Sequence, residues 1–331
     1  MTAALIEYGL FLAKALTLVF LVGVLLITLL RARGGLRGDG ERIEVSDLNG
    51  KYQKMAWVLK QASLPKKVMA KVAKEERKAA KKRAKVGETR RRLFVIDFQG
   101  DIRATEVASL RELITCVLMV VEAGDELLVR IKNAGGTLPE HGLAASQLVR
   151  VRRSGVRLTV AVDEVAASGG YLMACVADHI IAAPFAVVGS VGVIMQLPNF
   201  HRLLERRGVD IELHTAGEYK RTLTLFGENS DADREKVREQ LEDVHQLFKD
   251  FIREYRPQVD LDRIATGEYW HGTQALDLGL VDAVETSDEY LLRARAEAAL
   301  YQVAYVVHKR PLERLLAAMQ SGLLQALSGR W

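Results

Sequence analysis

From residue 93 onward, short apolar runs alternate with stretches of helical period, and this alternation constrains the fold more than any other feature of the chain. Leu93-Phe94-Val95-Ile96-Asp97-Phe98 reads as a buried strand closed by a turn at Gln99-Gly100-Asp101. Val107 to Val121 reads as a helix. Glu126 to Ile131 is a second strand, running out into Asn133-Ala134-Gly135-Gly136. Gly142 to Arg153 is helical again, and Val156 to Val162 is a third strand. Strands separated by helices of this length are joined by crossovers, which implies an α/β body. His179 to Ala182 and Val187 to Val193 fit further short strands. Ser230 to Tyr255 is a long amphipathic helix with Val237, Leu241, Val244, Phe248 and Phe251 on one side, and Ser230 with Asp233 supplies a capped start. A second amphipathic helix spans Pro311 to Leu327, suited to packing on the body or another subunit, with attachment to a membrane surface as the alternative.

The region ahead of this body has a different character. Gly9 to Leu30 is an apolar run with one charge, Lys14, near its start. As a helix it would reach roughly 33 Å, enough to cross a bilayer. Arg31-Ala32-Arg33-Gly34-Gly35 follows in place of a cleavage site, so the run is expected to be an uncleaved anchor. Gly38 to Asp47 is polar and reads as a linker, and Lys51 to Arg92 as a helical segment with little apolar surface. Between Gln61 and Arg92 there are 13 Lys/Arg against 3 Asp/Glu, a net of +10. The whole chain carries +5, so the remainder sums to −5. A solvated helix and an anionic-lipid contact both fit this segment. Nucleic acid does not, because no aromatic residues interleave with the basic ones. The basic residues after the anchor favour the cytoplasmic side for the body by the positive-inside rule, with the outer face of the membrane as the alternative. Cys116 and Cys175 lie in apolar helical patterns and are expected as buried thiols.

The 331 residues contain no Gly-x-Ser-x-Gly elbow, phosphate loop, His-Glu-x-x-His or Cys-x-x-Cys, and the seven histidines form no ligand cluster, so neither metal nor organic cofactor is expected. Ser168, in Val165-Ala166-Ala167-Ser168-Gly169-Gly170-Tyr171, lies between the turn after the third strand and an apolar helix over Gly170 to Val176. Free N–H groups at a helix start favour negative charge, and Gly169 is placed to donate toward an oxyanion. A second donor comes from Gly135 or Gly136. The same residues also fit a simple helix cap with turning glycines. Lys220 follows 52 residues later in Ala216-Gly217-Glu218-Tyr219-Lys220-Arg221-Thr222. To act as a base it must be a neutral amine, although lysine ordinarily titrates at about 10.4, and burial is what lowers that value. Along a strand it would share a face with Glu218, which leaves its burial open.

Taken together, the segments resemble the signal peptide peptidase A family of serine peptidases, most closely its SohB branch. The resemblance runs from Glu7-Tyr8-Gly9-Leu10-Phe11-Leu12-Ala13-Lys14 through Gly142-Leu143-Ala144-Ala145-Ser146-Gln147-Leu148 and the Ser168 motif. It continues through Gly189-Ser190-Val191-Gly192-Val193, Tyr219-Lys220-Arg221-Thr222-Leu223-Thr224-Leu225 and Ala265-Thr266-Gly267-Glu268. It implies a ClpP/crotonase-like α/β fold with Ser168 as nucleophile, Lys220 as general base and Ser190 hydrogen-bonded to the lysine amine. Gly136 and Gly169, beside Gly135, would form the oxyanion hole. It also implies a homo-oligomer that takes an extended polypeptide by backbone pairing. Where many members carry Ser-Pro-Gly-Gly, this chain has Asn133-Ala134-Gly135-Gly136.

The resulting expectation is a single-pass serine endopeptidase of a bacterial inner membrane, working through an acyl-enzyme on extended or membrane-proximal polypeptides. Its parts are an anchor over 1–32, a basic helical linker over 33–92, a peptidase domain over 93–290 and a C-terminal strand and amphipathic helix over 291–331. An acyl-CoA-processing enzyme of the same fold and a non-catalytic membrane scaffold are the alternatives.

Overall fold

The computed structural model describes residues 7–11, 14–15, 17–18, 41–86, 90–217 and 219–307. Most of the apolar run Gly9 to Leu30 and the whole of the expected helix Pro311 to Leu327 lie outside them. Among the described residues no helix is long and apolar enough to cross a membrane. The compact body is Glu44–Tyr305.

A ten-stranded sheet organises this body. Its main path is β1 (Glu41–Asp47), β10 (Ala299–Val307), β2 (Arg92–Gly100), β3 (Glu126–Asn133), β4 (Arg157–Val162), β6 (His179–Ala182) and β9 (Ala283–Val284). From β10 to β9 every neighbouring pair is parallel. Three short strands leave the path: β5 (Val165–Ala167) pairs with the end of β3 and with β7 (Val187–Gly189), and β8 (Tyr269–His271) pairs antiparallel with β7. The site is built on this side branch.

Strand pleating explains why the central strands are apolar throughout. Phe94, Ile96, Phe98, Leu127, Val129 and Ile131 point into one core, whereas Leu93, Val95 and Leu128 point into a second on the opposite face. The first core is covered by α3 (Val107–Leu118), α4 (Leu138–Arg153) and α5 (Gly169–Ala174). The second is covered by Leu48 and Tyr52 of α1 (Leu48–Ser63) and by Tyr290, Leu291 and Ala294 of α10 (Ser287–Ala294). The basic segment forms α1 and α2 (Lys66–Val86), broken where Pro65 disfavours helix at Leu64. The polar stretch expected as a linker to Asp47 instead contains β1, because pairing with β10 satisfies its backbone without an apolar run. The strand expected to reach Val193 stops at Gly189, where φ turns positive at Gly189 (103°) and Ser190 (52°). Both cysteines are unpaired, with Cys175 buried and Cys116 half-buried.

α7 (Asp231–Tyr255) begins in a capping box between Ser230 and Asp233, and Phe248 and Ile252 anchor its far end in the core. Just beyond it, Arg256, only 4% exposed, donates to both oxygens of Asp282 at 2.9 and 2.8 Å and to Gly279 O at 2.8 Å. Burial alone would raise the Asp282 carboxyl, but the bonds from Arg256 and from Ile180 N–H outweigh it and hold the group below the usual carboxylate range. A folded value below the unfolded one contributes stability above the unfolded value, at about pH 4 and higher, which is lost as pH falls toward the folded value. Asp282→Asn is therefore expected to lower Tm at pH 7 and to differ progressively less from wild type below about pH 4. Thermal melts of both proteins from pH 7 to pH 3 check this; a constant gap would remove the ion pair from the explanation.

Candidate active site

Two parallel strands end on two serines. β5 and β7 run in register with Ala167 opposite Gly189. One residue further, Ser168 and Ser190 both adopt positive φ, 51° and 52°. Non-glycine residues held in such conformations store about 1–3 kcal/mol of strain and tend to cluster at functional sites. Hydrogen bonds impose the geometry: Ser168 N–H donates to Gly189 O and Ser190 N–H to Glu268 O, each at 2.7 Å. Ser168 occupies the N-cap of α5, yet its hydroxyl makes no capping bond. It is half-buried and without a partner among the described residues. The simple cap, open from sequence alone, is not what the hydroxyl does.

The glycine turn after β3 lies directly against this serine. Gly135 has φ +93°, and a Cβ there would stand 2.6 Å from Ser168 Cβ and 3.1 Å from Gly169 N, so only glycine permits the contact. Gly135 N–H is taken by Asn133 Oδ1 at 2.7 Å. Gly136 N–H and Gly169 N–H, by contrast, have no hydrogen-bond partner among the described residues. Gly169 opens α5, where N–H groups are unsatisfied by construction and the helix dipole favours negative charge. A free hydroxyl beside two free backbone donors can attack a carbonyl and hold the oxyanion that forms.

The structure does not bring every predicted residue to Ser168. Lys220 is exposed, in a turn in which its N–H donates to Gly217 O at 3.2 Å, and no hydrogen bond links its amine to Ser168 or Ser190. The strand expected through Lys220 is absent: Gly217, with φ +98°, turns the chain there, and Glu218 lies outside the described residues. The Ser190 hydroxyl donates to Gly267 O at 3.3 Å. Among the described residues, the segment 191–229 that carries Lys220 contains one short helix, α6 (His201–Glu205). Asn199 Nδ2 ties it together through Thr224 O and Gly227 O, both at 3.0 Å. Its exposed side chains are strongly apolar, among them Ile194 (90% exposed), Met195, Leu203, Ile211 and Leu213. No group of acidic, histidine or cysteine side chains among the described residues could hold a metal ion.

Sequence reasoning passed over His141, which lies buried under the glycine turn. Its spacing from Ala144, Ala145 and Leu148 on the apolar stripe of α4 was the available signal.

A serine in a strained backbone conformation, its hydroxyl unpartnered among the described residues, thus lies against a glycine turn and a helix start that carry free N–H groups, on a parallel α/β sheet. The chain belongs to peptidase family S49: the family's model matches residues 150–301 and the model of its N-terminal region matches residues 3–148. It is 41% identical over 319 residues to a Haemophilus influenzae protein named "Probable protease SohB", covering 93% of this chain and 90% of that one. A Buchnera aphidicola protein of the same name is 49% identical over 238 residues, 72% of this chain and 71% of the relative. Among solved structures it is similar to the 1510-N membrane-bound stomatin-specific protease in complex with a substrate peptide. There the TM-score is 0.45 and the identity 13%, covering 70% of this chain and 99% of that one.

Proposed function

We propose that the chain is a membrane-anchored serine endopeptidase in which Ser168 is the nucleophile and Lys220 the general base. The observation that carries the reading is the free, strained Ser168 hydroxyl beside the free N–H groups of Gly136 and Gly169, in a chain of peptidase family S49. An extended polypeptide lies across the ends of β5 and β7 with its scissile carbonyl over Ser168. The neutral Lys220 amine accepts the Oγ proton as Oγ attacks, and the carbonyl oxygen becomes an oxyanion held by Gly136 and Gly169. Lys220 passes the proton to the departing amine, leaving an acyl-enzyme that water hydrolyses by the same steps in reverse. Ser190 would orient the lysine.

Lys220 reaches Ser168 only when the segment 191–229 closes on the site. The apolar side chains of that segment suit contact with substrate or with a second copy of the chain, and we read the enzyme as a homo-oligomer. The α/β sheet with its side branch is read as ClpP/crotonase-like. The single-pass anchor rests on the length and apolarity of Gly9 to Leu30 and the inner-membrane location on the resemblance, while the basic residues after the run favour a cytoplasmic active site.

The base is tested by labelling Ser168 with a fluorophosphonate and following the adduct by mass spectrometry. Lys220→Ala is expected to slow labelling by about 10²–10³-fold. Lys220→Arg should not rescue it, because a guanidinium cannot give up its proton. Labelling of Lys220→Ala at the wild-type rate would assign the base to another residue.

A further inference from the structure

Beneath the glycine turn lies a pair of side chains that the proposed reaction does not use. His141 is fully buried on α4, and its ring reaches both ends of the turn from Asn133 to Thr137. Nδ1 is 2.8 Å from Thr137 O, and Nε2 is 3.2 Å from Asn133 Oδ1. Whichever nitrogen carries the proton, the ring donates to an oxygen at one end of this turn. Asn133, 1% exposed, carries the constraint inward, since its Oδ1 accepts Gly135 N–H at 2.7 Å. The ring also packs against the residue after the nucleophile: a Cβ on Gly169 would stand 2.4 Å from His141 Cγ. One imidazole thus backs both segments whose N–H groups are free.

That placement matters because Gly135 and Gly136 have no side chains to fix them. An unsupported glycine pair samples many backbone orientations. An oxyanion donor contributes fully only when it is aimed before the charge develops. We propose that Asn133 and His141 are positioning residues for the oxyanion hole: the ring braces the turn by donating to the oxygen at one of its ends and by packing against Gly169, the amide oxygen fixes Gly135, and Gly136 N–H is thereby held toward Ser168 alongside Gly169 N–H. The proposal rests on the reading of Ser168 as nucleophile. It also gives a role to the Asn133-Ala134 sequence that stands in place of Ser-Pro, for Asn133 supplies the oxygen that both the imidazole and Gly135 meet.

The test uses the full chain, a peptide substrate and a peptide aldehyde, whose hemiacetal with the serine puts an oxyanion in the hole. Asn133→Leu keeps the volume and removes the acceptor, Asn133→Asp keeps the acceptor, and His141→Phe keeps a ring without its polar atoms. Asn133→Leu and His141→Phe are each expected to lower kcat about 10²-fold with KM within about twofold, and to weaken the aldehyde by the same factor as kcat. Asn133→Asp should stay within about fivefold of wild type, and the double variant Asn133→Leu/His141→Phe should be no worse than the worse single one. If Asn133→Leu does not fold, His141→Phe carries the same expectation. A folded variant with wild-type kcat, or a loss confined to KM, overturns the proposal. Ser168→Ala is measured in parallel. If it is inactive while Asn133→Leu is fully active, positioning alone fails; if it is active, the serine reading beneath it fails.

Discussion

Ser168→Ala is expected to fold like the wild type and to lose about 10⁴–10⁶-fold in kcat for peptide hydrolysis, the loss seen when a catalytic serine is removed and only the oxyanion donors remain. The two halves of this expectation separate the nucleophile from the helix cap. Removing a hydrogen-bonded N-cap costs about 1 kcal/mol, whereas the Ser168 hydroxyl makes no capping bond, so its loss should change stability by no more than about 0.5 kcal/mol. Ser168→Gly sharpens the point. Glycine adopts φ 51° freely, so this variant should be about 1 kcal/mol more stable than wild type and equally inactive. Such a gain at the cost of activity is what a strained catalytic position predicts. Steady-state hydrolysis and thermal melts of the three proteins decide it. Hydrolysis by Ser168→Ala at the wild-type rate would remove Ser168 from the chemistry.

The sequence shows the sheet more readily than the site, for a physical reason. Continuous apolar runs such as Leu93 to Phe98 are needed wherever a strand is buried on both faces, and here Leu93 and Val95 serve one core while Phe94, Ile96 and Phe98 serve the other. The capping box at Ser230 is likewise a local code that local reading recovers. β1 has no such code: Glu41 to Asp47 is polar, and only its partner β10 makes it a strand. The conformation of Ser168 is equally non-local, since its positive φ is imposed by the oxygen of Gly189, which lies 21 residues further along the chain (189 − 168). The residues alone leave Gly135 and Gly136 open as the second donor, and the resemblance implies Gly136. The buried Asn133 amide occupies Gly135 N–H, which supports Gly136 as the proposed donor. His141 shows the converse limit, because its place on the apolar stripe of α4 makes it resemble an ordinary core residue until its two polar contacts are seen. The role proposed for Lys220 rests on resemblance; its spacing from Ser168 cannot supply it.

Gly135→Ala should lose both stability and activity, and their coupling is the informative part. At φ +93° a non-glycine residue is strained by about 1–2 kcal/mol. The added methyl would meet Ser168 Cβ at 2.6 Å and the backbone oxygen of Ala167 at 2.9 Å. Neither neighbour is the end of a flexible side chain, so no rotamer change relieves the clash. Overpacking of this kind costs about 1–3 kcal/mol more. Adding strain and clash gives a destabilisation of about 2–5 kcal/mol. Relief requires moving either the glycine turn, and Gly136 with it, or the nucleophile, and displacing either by about 1 Å is worth about 10²-fold in rate. Gly155→Ala is the control. It too has positive φ (78°), but a Cβ there meets no atom within 4 Å, and it lies in the turn between α4 and β4. It should cost only the strain, about 1–2 kcal/mol, and leave kcat unchanged. Melting curves and steady-state rates of both variants separate the effects: if Gly135→Ala keeps its activity once folded, the turn does not hold the reacting geometry.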